Sequence, residues 1–376
     1  MYEASTLEAN SASNCLLPSP HRAEFRLVFL KTTTLATKQA SITTIATHLG
    51  LAVSTVSRAL SDHANIREDT KERVRQMAIK LNYQPNHLAA GLRKGHSGIL
   101  GVVVPHISGS FFPTVMHGIE KMASKAGFHV MLCQSNEDVK QERANIKMLL
   151  NAQVEGILIS MSSTTYDFQH FEKVQSQGVP LVFFDRMPDM PSTSAVVLDD
   201  HQGAFGVVKH LVEQGCKRIA FFSGPQHLNI NKNRFEGYVD ALESSSLDFD
   251  PQLVFQLPDL SKAAGAEGMN LLLQLASPPD AVFSSYDLPA VGALEVLQER
   301  NIRVPQDIAL SGFSNEPFTT LISPRLTSVE QRGELMGEAA VRLFLQMHKR
   351  TDNYSPQRIM LKPQIEVRSS SLRNIV

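Results

Sequence analysis

The sequence predicts an α/β protein in two parts: an N-terminal three-helix headpiece built around a helix-turn-helix, then a larger region of parallel sheets arranged as two lobes. Three observations predict it. Apolar residues recur at helical spacing from Ile42 to Tyr83, with no strand-like run. Beyond Ile99 short β-branched runs alternate with amphipathic stretches, the texture of parallel strands joined by helical crossovers. Finally, 376 residues are too many for one core and suit a small domain plus two larger lobes.

The segment before Ser41 is rich in Ser, Thr and Ala. It is expected to be a disordered extension, or the product of an upstream start codon. Charges and prolines interrupt its apolar stretches, so no export signal is read. Hydrophobic residues make up 43% and charged residues 19% of the chain, and no apolar run approaches the roughly 18 residues of a membrane span. Cys15, Cys133 and Cys216 are odd in number and widely spaced, which suggests neither a disulfide framework nor a structural metal. A cytoplasmic location is expected.

The headpiece follows. In Ile42–Leu60, Ile45, Ala46 and Leu49 form one short apolar face and Val56, Ala59 and Leu60 another. Gly50 between them permits the positive φ of a tight turn, and Leu51 can plug the angle between the helices. In such a motif the second helix enters the major groove of DNA. Val53, Ser54, Thr55, Ser57 and Arg58 present small or polar groups there. Arg58 can reach a guanine edge bidentately, and the Thr55 and Ser57 hydroxyls suit phosphate oxygens. A third helix from Glu68 to Asn82 closes the core with Val74, Met77, Ala78 and Leu81. Although the whole chain has a net charge of −1, residues 41–96 carry eight Lys and Arg against four Asp and Glu, a balance that phosphates favour.

In the second region, strands are expected at Ile99–Val104, Gly156–Ser160, Leu181–Asp185, Ile219–Gly224, Ala281–Ser285 and Ile308–Phe313. Helices are expected at Phe112–Ala126, Val139–Gln153, Gln202–Gln214, Asn231–Ser244, Ala263–Ala276 and Leu288–Arg300. Ligands of such sheets bind beyond the carboxyl ends of the strands. This directs attention to Phe111 and Phe112, Asp185 and Arg186, Asn229 to Arg234, and Asp287.

Thr55-Val56-Ser57-Arg58-Ala59-Leu60, Leu81-Asn82-Tyr83-Gln84-Pro85-Asn86 and Gly98-Ile99-Leu100-Gly101-Val102-Val103-Val104-Pro105 resemble the LacI/GalR family of transcriptional regulators. The resemblance runs from about Ile42 to Ser370 and includes Ser223-Gly224-Pro225, Arg234 with Gly237, Asp287, Gly312-Phe313 and Leu326-Thr327-Ser328-Val329. It implies a headpiece over residues 41–84, a hinge helix and linker over 85–97, and a two-lobed effector and dimerisation domain over 98–376, similar to periplasmic sugar-binding proteins. It further implies that Asn86 to Leu92 folds on operator DNA with Leu92 wedged into the minor groove, where an apolar wedge kinks a base step. One departure stands out: Ala52 occupies a position where the family usually places Ser, and Ala is a poor N-cap.

The implied partners are double-stranded operator DNA, a second copy of the chain and a small effector; no membrane partner is expected. The resemblance gives Asp287 the role of accepting two sugar hydroxyls. Arg234 could donate in a fork, Asp185 and Arg186 would line the mouth, and Phe111 and Phe112 offer a platform for a ring. Structural alternatives remain open: Asp287 and Arg234 pairing with each other, Asp185 capping a helix or bracing the hinge, one phenylalanine lying in the core. Purine-responsive relatives use an Arg and a Thr after the Gly-Pro pair; Leu228 and Ile230 stand there by spacing. With Asn229 and Asn231 available for hydroxyls, a sugar or sugar derivative is favoured. Ligand release and corepression both occur in the family.

Two rivals are weaker. A sugar-transport protein would lack residues 41–96 and carry an export signal. An enzyme would need a motif such as Gly-x-Gly-x-x-Gly, a Walker loop, a nucleophile elbow or His-Glu-x-x-His, and none occurs. No catalytic residue, cofactor or metal is expected.

Overall fold

The computed structural model describes residues 40–83, 96–349 and 355–373. The expectations for residues 1–39, for the hinge helix, and for Asn86 and Leu92 lie outside the described residues. The chain divides into two compact units, residues 1–85 and 86–376.

The first unit contains α1 (Ile42–Leu49), α2 (Val53–Leu60) and α3 (Glu68–Lys80). Ser41 opens α1 through a reciprocal cap: its Oγ accepts from the Thr44 N–H and Thr44 Oγ1 accepts from the Ser41 N–H, both at 3.2 Å. Such a box satisfies two donors that a helix start leaves unpaired. Gly50 ends α1 at φ 64°, a left-handed conformation costly for residues with a Cβ. The expected faces close the core. Ile45, Ala46, Val56, Ala59, Val74 and Ala78 are buried, with Leu49, Leu51, Leu60, Met77 and Leu81 packed around them.

Helix α2 has no side-chain cap at Ala52, whose backbone is extended at φ −65° and ψ 145°. That geometry suits Ser. Ala52→Ser is expected to stabilise the headpiece by about 1 kcal/mol, read as a raised denaturant midpoint of the headpiece transition; an unchanged midpoint would show that the free N–H groups are already satisfied by water.

The second unit holds two parallel sheets. The first has strand order β11-β5-β4-β3-β1-β2, formed by β1 (Ile99–Val104), β2 (His129–Gln134), β3 (Gly156–Ile159), β4 (Leu181–Phe184), β5 (Ser194–Leu198) and β11 (Arg358–Leu361). The second has order β7-β6-β8-β9, formed by β6 (Ile219–Ser223), β7 (Val254–Gln256), β8 (Ala281–Ser284) and β9 (Ala309–Ser311). An antiparallel pair, β10 (Ser328–Glu330) and β12 (Gln364–Glu366), accompanies them. Helices α4 (Phe111–Lys125), α5 (Val139–Asn151), α6 (Gln169–Ser176) and α11 (Gly333–Lys349) cover the first sheet, and α7 (Asp200–Glu213), α8 (Asn229–Ser244), α9 (Lys262–Leu272) and α10 (Asp287–Glu299) belong with the second.

Alternation along β1 shows how a parallel strand is buried on both faces. Leu100, Val102 and Val104 pack with Phe112, Ile119, Val341 and Phe344, whereas Ile99 and Val103 pack with Ile146, Leu149 and Phe171. The expected strands and helices are all present, with ends shifted by a few residues. β2, β5, β7, β10, β11, β12, α6 and α11 are additions. No helix among the described residues is long and apolar enough to cross a membrane.

Candidate functional site

On α2, Val53, Ser54 and Arg58 are exposed, while Thr55 and Ser57 are half-buried. The inward positions, Val56 and Ala59, hold the helix to the core, leaving Arg58 on the solvent side with its guanidinium free to extend. Not all the expected bases are equally available. Lys71 lies 2.9 Å from Asp62 and 3.3 Å from Glu68, and Arg75 lies 3.0 Å from Asp62 and 3.2 Å from Glu68. These four neutralise one another, Asp62 from the α2–α3 connection and the other three on α3, so the headpiece field rests on the remaining bases.

A cavity of 310 Å³ opens between the lobes, beyond the carboxyl ends of their strands. Phe111, Phe112, Asp185, Arg186 and Asp287 line it, as expected positions; Tyr286, Leu260, Ile230, Phe318 and Glu316 line it as well. Phe112 is also a core residue, edge-on to Phe111 at 5.1 Å between ring centres. Phe111 keeps a partly exposed face.

Asp185 follows β4 in a left-handed conformation, φ 61°, which turns the chain sharply into the cleft. Burial pushes its carboxyl upward against the opposing pull of Arg186 and Arg234. Arg186 is 3% exposed and donates from one terminal nitrogen to both oxygens of Glu137 at 2.9 Å. Burial works against the charge on Glu137, but the guanidinium overcomes it and holds that carboxylate below its ordinary range. The Arg186 Nε–H is buried and has no hydrogen-bond partner. Such an unspent donor is costly unless something accepts from it.

Asp287 begins α10 and is 1% exposed. Its Oδ1 accepts from Ser328 Oγ at 2.6 Å and its Oδ2 from the Glu316 N–H at 2.8 Å. Burial pushes its carboxyl up to about 7 despite these two donors. Gly312 permits the approach, because a Cβ there would collide with Asp287 Oδ1.

Arg234 and Asn229 stand apart from the cavity lining. Arg234 is fully buried; its Nε donates to Asp200 Oδ1 at 2.8 Å and a terminal nitrogen to the Ser285 carbonyl at 2.7 Å. The guanidinium carbon also sits 3.7 Å from the centre of the Phe313 ring. The structural partner of Arg234 is therefore Asp200, not Asp287. Asn229 donates to the Asp185 carbonyl at 3.0 Å and accepts from the Met187 N–H at 3.0 Å. Asn231 donates to the Pro225 carbonyl and accepts from Tyr286 Oη. Both asparagines are spent on the protein, which corrects the expectation that they are available for ligand hydroxyls.

Glu316 is the main residue the sequence reading missed. Both its oxygens accept from the Ser110 N–H, at 2.9 and 3.1 Å, so it crosses the cleft from one lobe to the other. It stands five residues after β9 and Tyr286 two after β8, where the carboxyl-end rule could have found them. Leu260 stands four residues after β7, a strand the sequence reading did not expect.

A profile of bacterial regulatory proteins of the lacI family matches residues 41–86, and one of a periplasmic binding protein-like domain matches residues 208–371. The ribose operon repressor of Halalkalibacterium halodurans is 30% identical over 306 residues, which cover 81% of this chain and 89% of that protein. The chain belongs to the LacI family. Another member, the repressor PurR of Aliivibrio salmonicida, is 28% identical over 333 residues, 88% of this chain and 98% of that one. Among solved structures, a complex of the transcriptional regulator CelR with cellobiose aligns with a TM-score of 0.68 at 27% identity, covering 88% of this chain and 100% of that one. As a LacI-family member the chain is a DNA-binding transcriptional regulator with a periplasmic-binding-protein-like effector domain, not an enzyme.

Proposed function

We propose that this LacI-family regulator is a cytoplasmic homodimeric repressor that reads a pseudo-palindromic operator through α2 and is switched by a sugar or sugar derivative in the cleft. The observation that carries the effector assignment is the buried Arg186 Nε–H, which has no hydrogen-bond partner and only a long 3.9 Å ion-pair contact to Asp185, on a cavity that also holds Asp185, Asp287 and the Phe111 ring. A polyhydroxylated ring offers an acceptor to the arginine, hydroxyl donors to the carboxylates and an apolar face to the phenylalanine. The buried, apolar Leu228 and Ile230 disfavour a purine, which needs polar partners in that loop. The sugar named in the CelR complex and the operon named for the ribose repressor support the same class.

Ligand binding between the lobes shifts a two-state equilibrium that the DNA-binding part senses. In this scheme Val53, Ser54, Thr55, Ser57 and Arg58 meet the major groove, and Asn86 and Leu92 act at the minor groove. Thermal-shift screening of the full chain against a sugar panel, followed by gel shifts on the gene's upstream region, tests the scheme. A stabilising sugar that also changes salt-sensitive, sequence-specific binding supports it; the absence of such DNA binding defeats it. Arg58→Ala is expected to cost about 1–3 kcal/mol and to relax preference at one base pair per half-site, measured by competition with single-base operator variants. An unaltered preference would remove Arg58 from base readout.

A further inference from the structure

Away from the cleft, three potential ligands converge where the second unit begins. His96 lies in the first described turn before β1, Glu155 immediately before β3, and His348 in the last turn of α11. β1 and β3 are paired neighbours, Leu100 opposite Gly156, which brings the starts of both strands together. One oxygen of Glu155 accepts from the Gly98 N–H. The other lies 3.5 Å from His96 Nδ1 and 3.2 Å from His348 Nε2. The His348 ring is held in place by Phe344, 5.4 Å away and stacked, and by Phe128, 5.5 Å away and edge-on.

We propose that His96, Glu155 and His348 form a site for a divalent transition-metal ion of the zinc type. Metal–nitrogen and metal–oxygen bonds of about 2.0–2.2 Å in a tetrahedron place neighbouring ligand atoms about 3.4 Å apart. Both distances from the free Glu155 oxygen match that edge. The third edge closes easily: one atom from each residue falls within a 4.8 Å group, and the His96 side chain, 71% exposed, can swing inward. Two imidazoles with one carboxylate favour zinc, cobalt or nickel over magnesium or calcium, which take oxygen sets. The Gly98 N–H orients the carboxylate from behind, as outer partners of metal ligands do. Three protein ligands leave the fourth position, on the exposed His96 side, to water.

The ion fastens the beginning of β1 to the end of α11.

The test is calorimetric titration of tag-free, chelator-treated full-length protein with zinc chloride, with magnesium chloride as the hard-cation control. One zinc per chain is expected, with no magnesium uptake at this site. His96→Ala and His348→Ala should each weaken zinc binding by about tenfold or more. Because His96 is exposed, its variant should fold like the parent, so its affinity is a clean readout; cobalt(II) should show tetrahedral ligand-field bands in the parent and lose them in the variant. Absence of zinc binding, or equal binding by both histidine variants and the parent, overturns the proposal.

Discussion

Arg234→Met should destabilise the second unit by about 3–5 kcal/mol, the range for removing one partner of a buried ion pair. The substitution strands Asp200, 1% exposed, with neither of the donors that lie 2.8 Å from its Oδ1. It also removes the donor to the Ser285 carbonyl, at the residue that leads into Tyr286 and Asp287. Methionine fills much of the space over Phe313, so lost charge rather than lost volume dominates. Burial pushes the Asp200 carboxyl up to about 7 even with the arginine beside it. Without the arginine, protonation becomes the cheaper escape, and the defect should be smaller at pH 5 than at pH 8. Adding Asp200→Leu should recover most of the loss, since replacing a whole buried pair by apolar groups is often neutral. Urea unfolding of the parent and the two variants checks this; a loss below about 1 kcal/mol for Arg234→Met would mean that water reaches Asp200.

The second large effect is functional. Asp287→Asn should abolish the effector response while leaving operator affinity unchanged, measured by gel shift with and without the sugar identified by screening. The amide keeps the shape and can still bond Ser328 and the Glu316 N–H, but it halves the acceptors and removes the charge. The same substitution should alter the pH dependence of stability. A carboxyl raised from its unfolded value of about 3.9 to about 7 contributes stability that is complete below pH 4 and is lost as the pH rises through 7. In the Asn variant that part of the slope disappears, so the variant gains on the parent at pH 8 and the Asp200 part of the slope remains. A retained response would remove Asp287 from the proposed site.

The helix-turn-helix was legible because two independent signals agree there: the apolar period on both helices and Gly50 at the turn between them. The buried central strands were equally plain, since Ile99–Val104 and Ala281–Ser284 are apolar on both faces. β2 was not, because its mixed His129–Gln134 sequence is partly exposed, and the three-residue β7, β10 and β12 are too short for any period. Helix α11 was missed although Met336, Ala340, Val341 and Phe344 mark a helical face. In the cleft, the carboxyl-end rule found Asp185, Arg186 and Asp287. It could not separate them from Arg234 and Asn229, because sequence displays a donor but not the distant partner that absorbs it: Asp200 for the arginine, and the backbone around Arg186 for the asparagine.

Glu316 and Asn229 grasp the opposite lobe only through main-chain groups: the Ser110 N–H, the Asp185 carbonyl and the Met187 N–H. Every residue type except proline presents the same N–H, and all present the same carbonyl. Side chains of the facing wall can therefore change without removing these contacts, provided that Gly109 and Asp185 keep their left-handed backbone, and a descendant could acquire a different effector while inheriting the same clasp.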